Sequence, residues 1–172
     1  MGFGKAFGFS LLAYIGLNFL FIVIVETLSG DLNLLFSDIS SNPLIILLIF
    51  FGTTANMPGN VFLSMYAQIA TGAIDYNLIE TIGFFVTPLV AALVAGRVGE
   101  NKGGSFGGFF LTSILGSLVL GILAYVSPAT LIYFSIPVID PTATLIILLI
   151  AGAVNGVFYG AFSLMFTKTE YY

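Results

Sequence analysis

The stretch Thr53-Thr54-Ala55-Asn56-Met57-Pro58-Gly59-Asn60 sets four polar side chains and a helix-breaking pair in the middle of an otherwise apolar run. Pro58 has no N–H to give to the carbonyl of Thr54, so that carbonyl needs another partner where the surroundings supply little water. Asn56, Asn60 or a water could supply it. A broken helix with carbonyls and amides exposed at mid-depth is also how transporters and channels build sites for solutes and ions. Thr53, Thr54, Asn56, Asn60 and, from a distant segment, Asn155 are therefore the candidate lining of a pore or substrate site. The alternative is a kink whose polar groups are satisfied inside a bundle of helices.

Other chemistry is restricted by what is missing. The chain has no Cys, no His and no Trp, which removes His- or Cys-ligated haem, iron–sulfur clusters, His- or Cys-held zinc and His-based acid–base catalysis. An aspartyl dyad at membrane depth fails too, because Asp31, Asp38, Asp75 and Asp140 all fall in connections. There is no Gly-rich phosphate loop with Lys. The expectation is a protein that is not an enzyme and needs no cofactor. Glu26, Asp31, Asp38 and Asp140 could together hold a cation at one surface, or simply keep the connections solvated. Four basic residues, Lys5, Arg97, Lys102 and Lys168, are too few and too spread to grip nucleic acid.

The elements that must position these residues follow from composition. Of 172 residues 59% are hydrophobic and 7% charged, with a net charge of −4, against roughly 25% charged in an ordinary soluble domain. Four basic and eight acidic residues cannot cover such a chain in water. The exterior must face hydrocarbon. Segments near 6–27, 44–72, 79–98, 104–127 and 143–167 reach the roughly 20 apolar residues that a bilayer core of about 30 Å demands. The fold class expected is all-α: an integral membrane bundle of about five hydrophobic segments in a single transmembrane domain, 1–172, the second segment kinked or re-entrant near Pro58. The first segment reads as a retained anchor rather than a cleaved signal, since no small-x-small cleavage site follows its long apolar run. The stretch 128–140, apolar but broken by Pro128 and Pro137, is expected at the interface.

Orientation depends on the second segment. A single Pro-kinked helix over 44–72, the commoner arrangement and the one expected, makes five crossings and leaves Lys5 outside while Arg97, Lys102 and Lys168 lie inside. A chain that turns back at Pro58-Gly59 would put every basic residue inside, and Glu26, Asp31, Asp38, Asp75, Glu80 and Asp140 outside. An internal echo bears on this choice. Leu44-Ile45-Ile46-Leu47-Leu48-Ile49 reappears as Leu145-Ile146-Ile147-Leu148-Leu149-Ile150. Two related hairpins joined by an odd helix would form an inverted repeat; chance matching among Leu, Ile, Phe and Gly is the other explanation.

Small residues recur every four positions, which gathers them on one helix face. They are Gly83, Thr87, Ala91, Ala95 and Gly99 on the third segment, Gly104, Gly108, Thr112 and Gly116 on the fourth, and Gly152, Gly156 and Gly160 on the fifth. Such faces let helices approach until backbones touch, so these three segments should form a tight inner cluster. Phe19, Leu20, Phe21, Ile22, Val23 and the two Leu-Ile runs are then assigned to lipid, and Tyr125, Tyr133, Tyr171 and Tyr172 to the headgroup level. Asn18, Asn155, Gln68 and Tyr66 are expected to face inward and pair across helices.

The passage from Thr87-Pro88-Leu89 to Ala95-Gly96-Arg97, followed by Gly103-Gly104-Ser105-Phe106-Gly107-Gly108, resembles a pattern of small prokaryotic multi-pass membrane proteins: an apolar helix ending in Ala-Gly-Arg, a short polar turn, then a Gly-rich helix. The resemblance implies a membrane location and no particular activity. The function expected from sequence is a structural or accessory subunit in the cell membrane, surrounded by lipid and associated with other membrane subunits or with itself. The rival expectation is a small pore or transporter for a neutral solute or ion, lined by the polar stretch 53–60.

Overall fold

The structure, a computed structural model, describes residues 2–138 and 140–167. Lys168, Glu170, Tyr171 and Tyr172, and the side chain of Tyr133, lie outside the described residues. Every regular element among the described residues is helical: α1 (Gly2–Ser29), α2 (Leu32–Ser41), α3 (Ile45–Phe51) running into a 3-10 turn (Gly52–Ala55), α4 (Pro58–Ala70), α5 (Tyr76–Val98), α6 (Lys102–Val126), α7 (Pro128–Tyr133) and α8 (Pro141–Phe166). Helices α1, α5, α6 and α8 are each long and apolar enough to cross a membrane. The chain is a multi-pass membrane protein.

Local chemistry sets where these helices begin. Asp75, Asn101 and Asp140 sit in extended backbone and accept from the N–H groups of Asn77, Gly104 and Ala143, at 2.9, 2.7 and 2.7 Å. Each satisfies a donor that a helix start leaves without a partner. Pro58, Pro128 and Pro141 open the helices that they begin, where a missing N–H costs nothing.

Contacts between helices fix the direction of each crossing. At one end a Cβ on Gly2 would come within 2.7 Å of the Glu100 nitrogen, and Lys5 Nζ lies 3.1 Å from Glu100 Oε1. The hydrogen bond from Lys5 holds the Glu100 carboxyl below the usual carboxylate range. Toward the other end the Phe21 ring covers Gly83, 2.8 Å from where a Cβ would stand. Helices α1 and α5 are therefore antiparallel. Gly104 and Gly108 lie against Phe3, Ala6 and Phe7, which makes α6 parallel to α1, and Gly121 against Leu145 with Gly160 against Phe106 makes α8 antiparallel to α6. The C-terminal end of α1 and the N-terminal end of α5 consequently share one side of the bundle, and the segment between them leaves from that side and returns to it.

Of the two arrangements expected near Pro58, a kinked fifth crossing and a re-entrant segment, the helix directions select the second. The first arm, Ile45–Ala55, and the second, Pro58–Ala70, meet at 89° around the extended residues Asn56 and Met57. Pro58 does not kink a continuous helix; it starts a new one. Lys5, Arg97 and Lys102 now share one end, while Glu26, Asp31, Asp38, Asp75, Glu80 and Asp140 share the other. The positive-inside rule makes the basic end the inner one. Helices α1 and α6 run in the same direction, so the two stretches that echo each other are not related by inversion. Single cysteines at Ser37 and Ala73 should both react with an impermeant maleimide from the outer side, and one at Gly103 only from the inner side. Labelling of Ala73→Cys but not of Ser37→Cys from the outer side would restore the five-crossing topology.

Packing follows the small residues. The most extensive helix contact is α6 with α8, followed by α1 with α5, α1 with α6 and α5 with α8. The inner cluster thus includes α1, beyond the three helices expected, because Ser10 and Ala6 give α1 a small face of its own. Added Cβ atoms at Gly116 and Gly156 would lie 2.7 Å from Thr54 Cγ2 and Phe110 Cδ2, and one at Gly152 2.7 Å from Ser117 Cβ. Ala91 and Ala95 are fully buried. Phe19 and Leu20 are exposed to lipid, but Phe21, Ile22, Leu48 and Ile49 turn inward, which corrects their assignment. Tyr66 is 72% exposed on α4 rather than paired inside, since α4 packs chiefly on α5 and leaves its other faces open.

Candidate functional site

The polar stretch singled out in the sequence forms the deep tip of the re-entrant segment. Its backbone cannot satisfy itself: a 3-10 turn ends at Ala55, two extended residues follow, and α4 opens on a proline. Distant side chains take up the difference. Asn155 Nδ2, from the middle of α8, donates to the carbonyls of Thr54 and Asn56 at 3.0 and 3.2 Å. Asn18 Nδ2, from α1, donates to the Phe50 carbonyl at 2.7 Å. The Tyr14 hydroxyl bonds the Thr53 hydroxyl, and Thr54 Oγ1 donates to the Phe51 carbonyl at 2.7 Å. The partner that Thr54 needs is thus Asn155, more than a hundred positions later, and neither Asn56 nor Asn60.

Gly116 on α6 leaves the room that Thr54 occupies. Below the turn, Ser10 and Thr112 hydroxyls pair at 2.7 Å and Ser113 Oγ donates to the Gly152 carbonyl at 2.8 Å, fastening α1, α6 and α8 together. Thr87 Oγ1, Asn155 Oδ1 and Tyr159 OH are buried and have no partner among the described residues. Groups of this kind are where ordered waters are held.

Above the turn lies a cavity of about 520 Å³. Gly52, Thr53, Ala55 and Asn56 form its deep end. Asn18, Phe21 and Ile22 of α1, Glu80, Gly83 and Phe84 of α5, and Thr144, Ile147 and Leu148 of α8 form its sides. Phe134, Ser135, Ile136 and Pro137 close over its outer part. The stretch 128–140 is therefore more than an interfacial float. Leu131 and Thr130 are buried, and Ser135 turns the chain at φ +57°, a left-handed conformation that costs a non-glycine residue energy. Pro88 has no N–H for the carbonyl of Phe84, so one helical bond is missing beside the cavity wall.

The candidate lining divides. Thr53 and Asn56 line the cavity, and the Asn56 side chain makes no hydrogen bond within the described residues. Thr54 and Asn155 stand behind the wall and hold its shape. Asn60 is exposed on α4 and does not belong to the site, because the 89° bend carries it away. Glu80, Phe21, Phe84 and the 134–137 segment were not anticipated. Glu80 did carry a signal: it lies one helical turn inside an apolar segment, where a carboxylate needs a reason.

Among the described residues no three His, Cys, Asp or Glu side chains come close enough to hold a metal ion. No protein-family model, no curated protein and no solved structure matches the chain.

Proposed function

We propose that this chain is a carrier of the cell membrane that binds a small solute in the cavity above its re-entrant turn and takes it up from the acidic side, without covalent chemistry. The observation that carries this reading is the cavity itself: about 520 Å³ at the tip of a broken helix, with Thr53 and Asn56 at its deep end. Its volume falls within the range of roughly 300–1,000 Å³ usual for small-molecule sites. A half-helix whose end lies at mid-depth offers carbonyls and amides that a continuous helix would consume.

A carrier fits better than a permanently open pore. Hydrogen bonds from Asn155 to the turn, the Tyr14–Thr53 contact and the close approach of Gly116 to Thr54 close the path below the cavity. Passage then requires the turn to move against α8 or α6. The accessory-subunit reading, with other membrane subunits or further copies as partners, has no comparable feature in its favour.

The test is uptake of radiolabelled amines, amino acids, sugars and carboxylates by proteoliposomes. At least one class should enter saturably, well above protein-free vesicles, and Asn56→Leu should lower that uptake at least tenfold while Asn60→Leu leaves it unchanged. Absence of saturable uptake for every class, or equal losses in the two variants, would overturn the reading.

A further inference from the structure

We propose that the cavity selects an organic monocation, with an ammonium group held at Glu80 and an apolar body against Phe21, Phe84 and Leu48. This rests on the reading of the cavity as a solute site and names the class of solute.

Among the described residues Glu80 is the one charged residue in the cavity wall. It makes no ion pair or hydrogen bond among the described residues, and Glu26 stands near enough to repel it. Lys5, Arg97 and Lys102 are all at the opposite end of the bundle. Two neighbouring carboxylates at the edge of an apolar medium, with no cation from the described chain, are costly unless something else supplies the charge. A bound cation does so. The other acidic residues at this end, Asp31, Asp38, Asp75 and Asp140, add a field that draws cations toward the opening.

The remaining walls say what kind of cation. A calcium or magnesium ion needs six or more oxygen ligands, and this cavity is mostly apolar. Phe21, Phe84 and Phe134 offer aromatic faces to an ammonium group, and Leu48, Ile147 and Leu148 offer surface to a hydrocarbon body. Asn56 and Thr53 add polar atoms at the deep end. A sugar would bring more hydroxyls than these few groups can match, and an anion would meet Glu80 and Glu26 without a compensating base.

The experiment compares benzylammonium, benzyl alcohol and benzoate, which share a ring and differ in charge, for binding to the intact chain in lipid nanodiscs. Benzylammonium should bind at least tenfold more tightly than benzyl alcohol, and benzoate more weakly than either. Glu80→Gln should abolish the preference for the cation without lowering the melting temperature; Glu80→Asp should keep it. Equal affinities for the three probes, no binding of any, or a preference that survives Glu80→Gln would overturn the inference. Ala55→Trp, which fills the cavity, separates the two levels: if benzyl alcohol binds and is lost in this variant, the cavity is a solute site even where the charge preference fails. Binding of all probes undiminished by Ala55→Trp would remove the cavity reading as well.

Discussion

Replacing Gly108 by Leu should separate α1 from α6 and unfold the protein in detergent at a markedly lower temperature. A Cβ at Gly108 would stand 2.7 Å from both the Ala6 Cβ and the Phe7 nitrogen, so the obstruction is partly backbone and cannot rotate away. Overpacking a tight interior costs about 1–3 kcal/mol, and here a whole leucine must be placed against the rigid face of a neighbouring helix. The upper part of that range is expected. Two other glycines calibrate the result. Gly16, on the lipid side of α1, has open space where its Cβ would be, so Gly16→Leu should melt as the native protein does. Gly156 faces the ring of Phe110, which can swing, so Gly156→Leu should fall between the two. Three equal melting temperatures would mean that close helix approach does not hold this bundle together.

Asn155→Leu should destabilise the protein and abolish uptake together. The substitution takes the donor from two carbonyls, of Thr54 and Asn56, at the point where the chain has no helical partner to offer them. An unsatisfied buried acceptor costs about 1–3 kcal/mol, while hydrogen bonds between membrane helices have measured nearer 0.6 kcal/mol each, up to about 1.7. A total loss of roughly 1–3 kcal/mol is expected from these two figures. Asn18→Leu removes one such bond, to Phe50, and should cost about half as much. The functional loss should exceed the stability loss, because both carbonyls belong to the turn that forms the deep end of the cavity. An Asn155→Leu protein that retains native uptake would show that the turn is held by its other contacts.

The same residues show how far a one-dimensional reading reaches. Thr53, Thr54, Asn56 and Asn155 stand out because polar groups in an apolar run need partners, and the structure brings all four to one place. Asn60 stands out for the same reason, yet an exposed position on α4 suffices for it. Helix α2 escapes notice because Asp31, Ser37 and Asp38 make its sequence look like a loop, while Leu35, buried against Ile45 and Ile49, makes it a helix. Phe21 and Ile22 have the composition of lipid-facing residues, and only the placement of α3 and α5 around them makes them a cavity wall.

What the sequence by itself determined is the solvent, the secondary structure class and the small faces: hydrocarbon outside, helices inside, glycines and alanines at four-residue spacing. These depend on transfer free energies and on periodicity, which are properties of each segment alone. Its prolines and capping residues also set several helix starts, because a cap acts on the next three residues. Only the tertiary structure decided that the second segment turns back, that Asn155 rather than a neighbour satisfies the broken turn, and that Glu80 faces a cavity. Each of these depends on contacts between residues tens of positions apart, where competing partners of the same chemical type are available and only packing chooses among them.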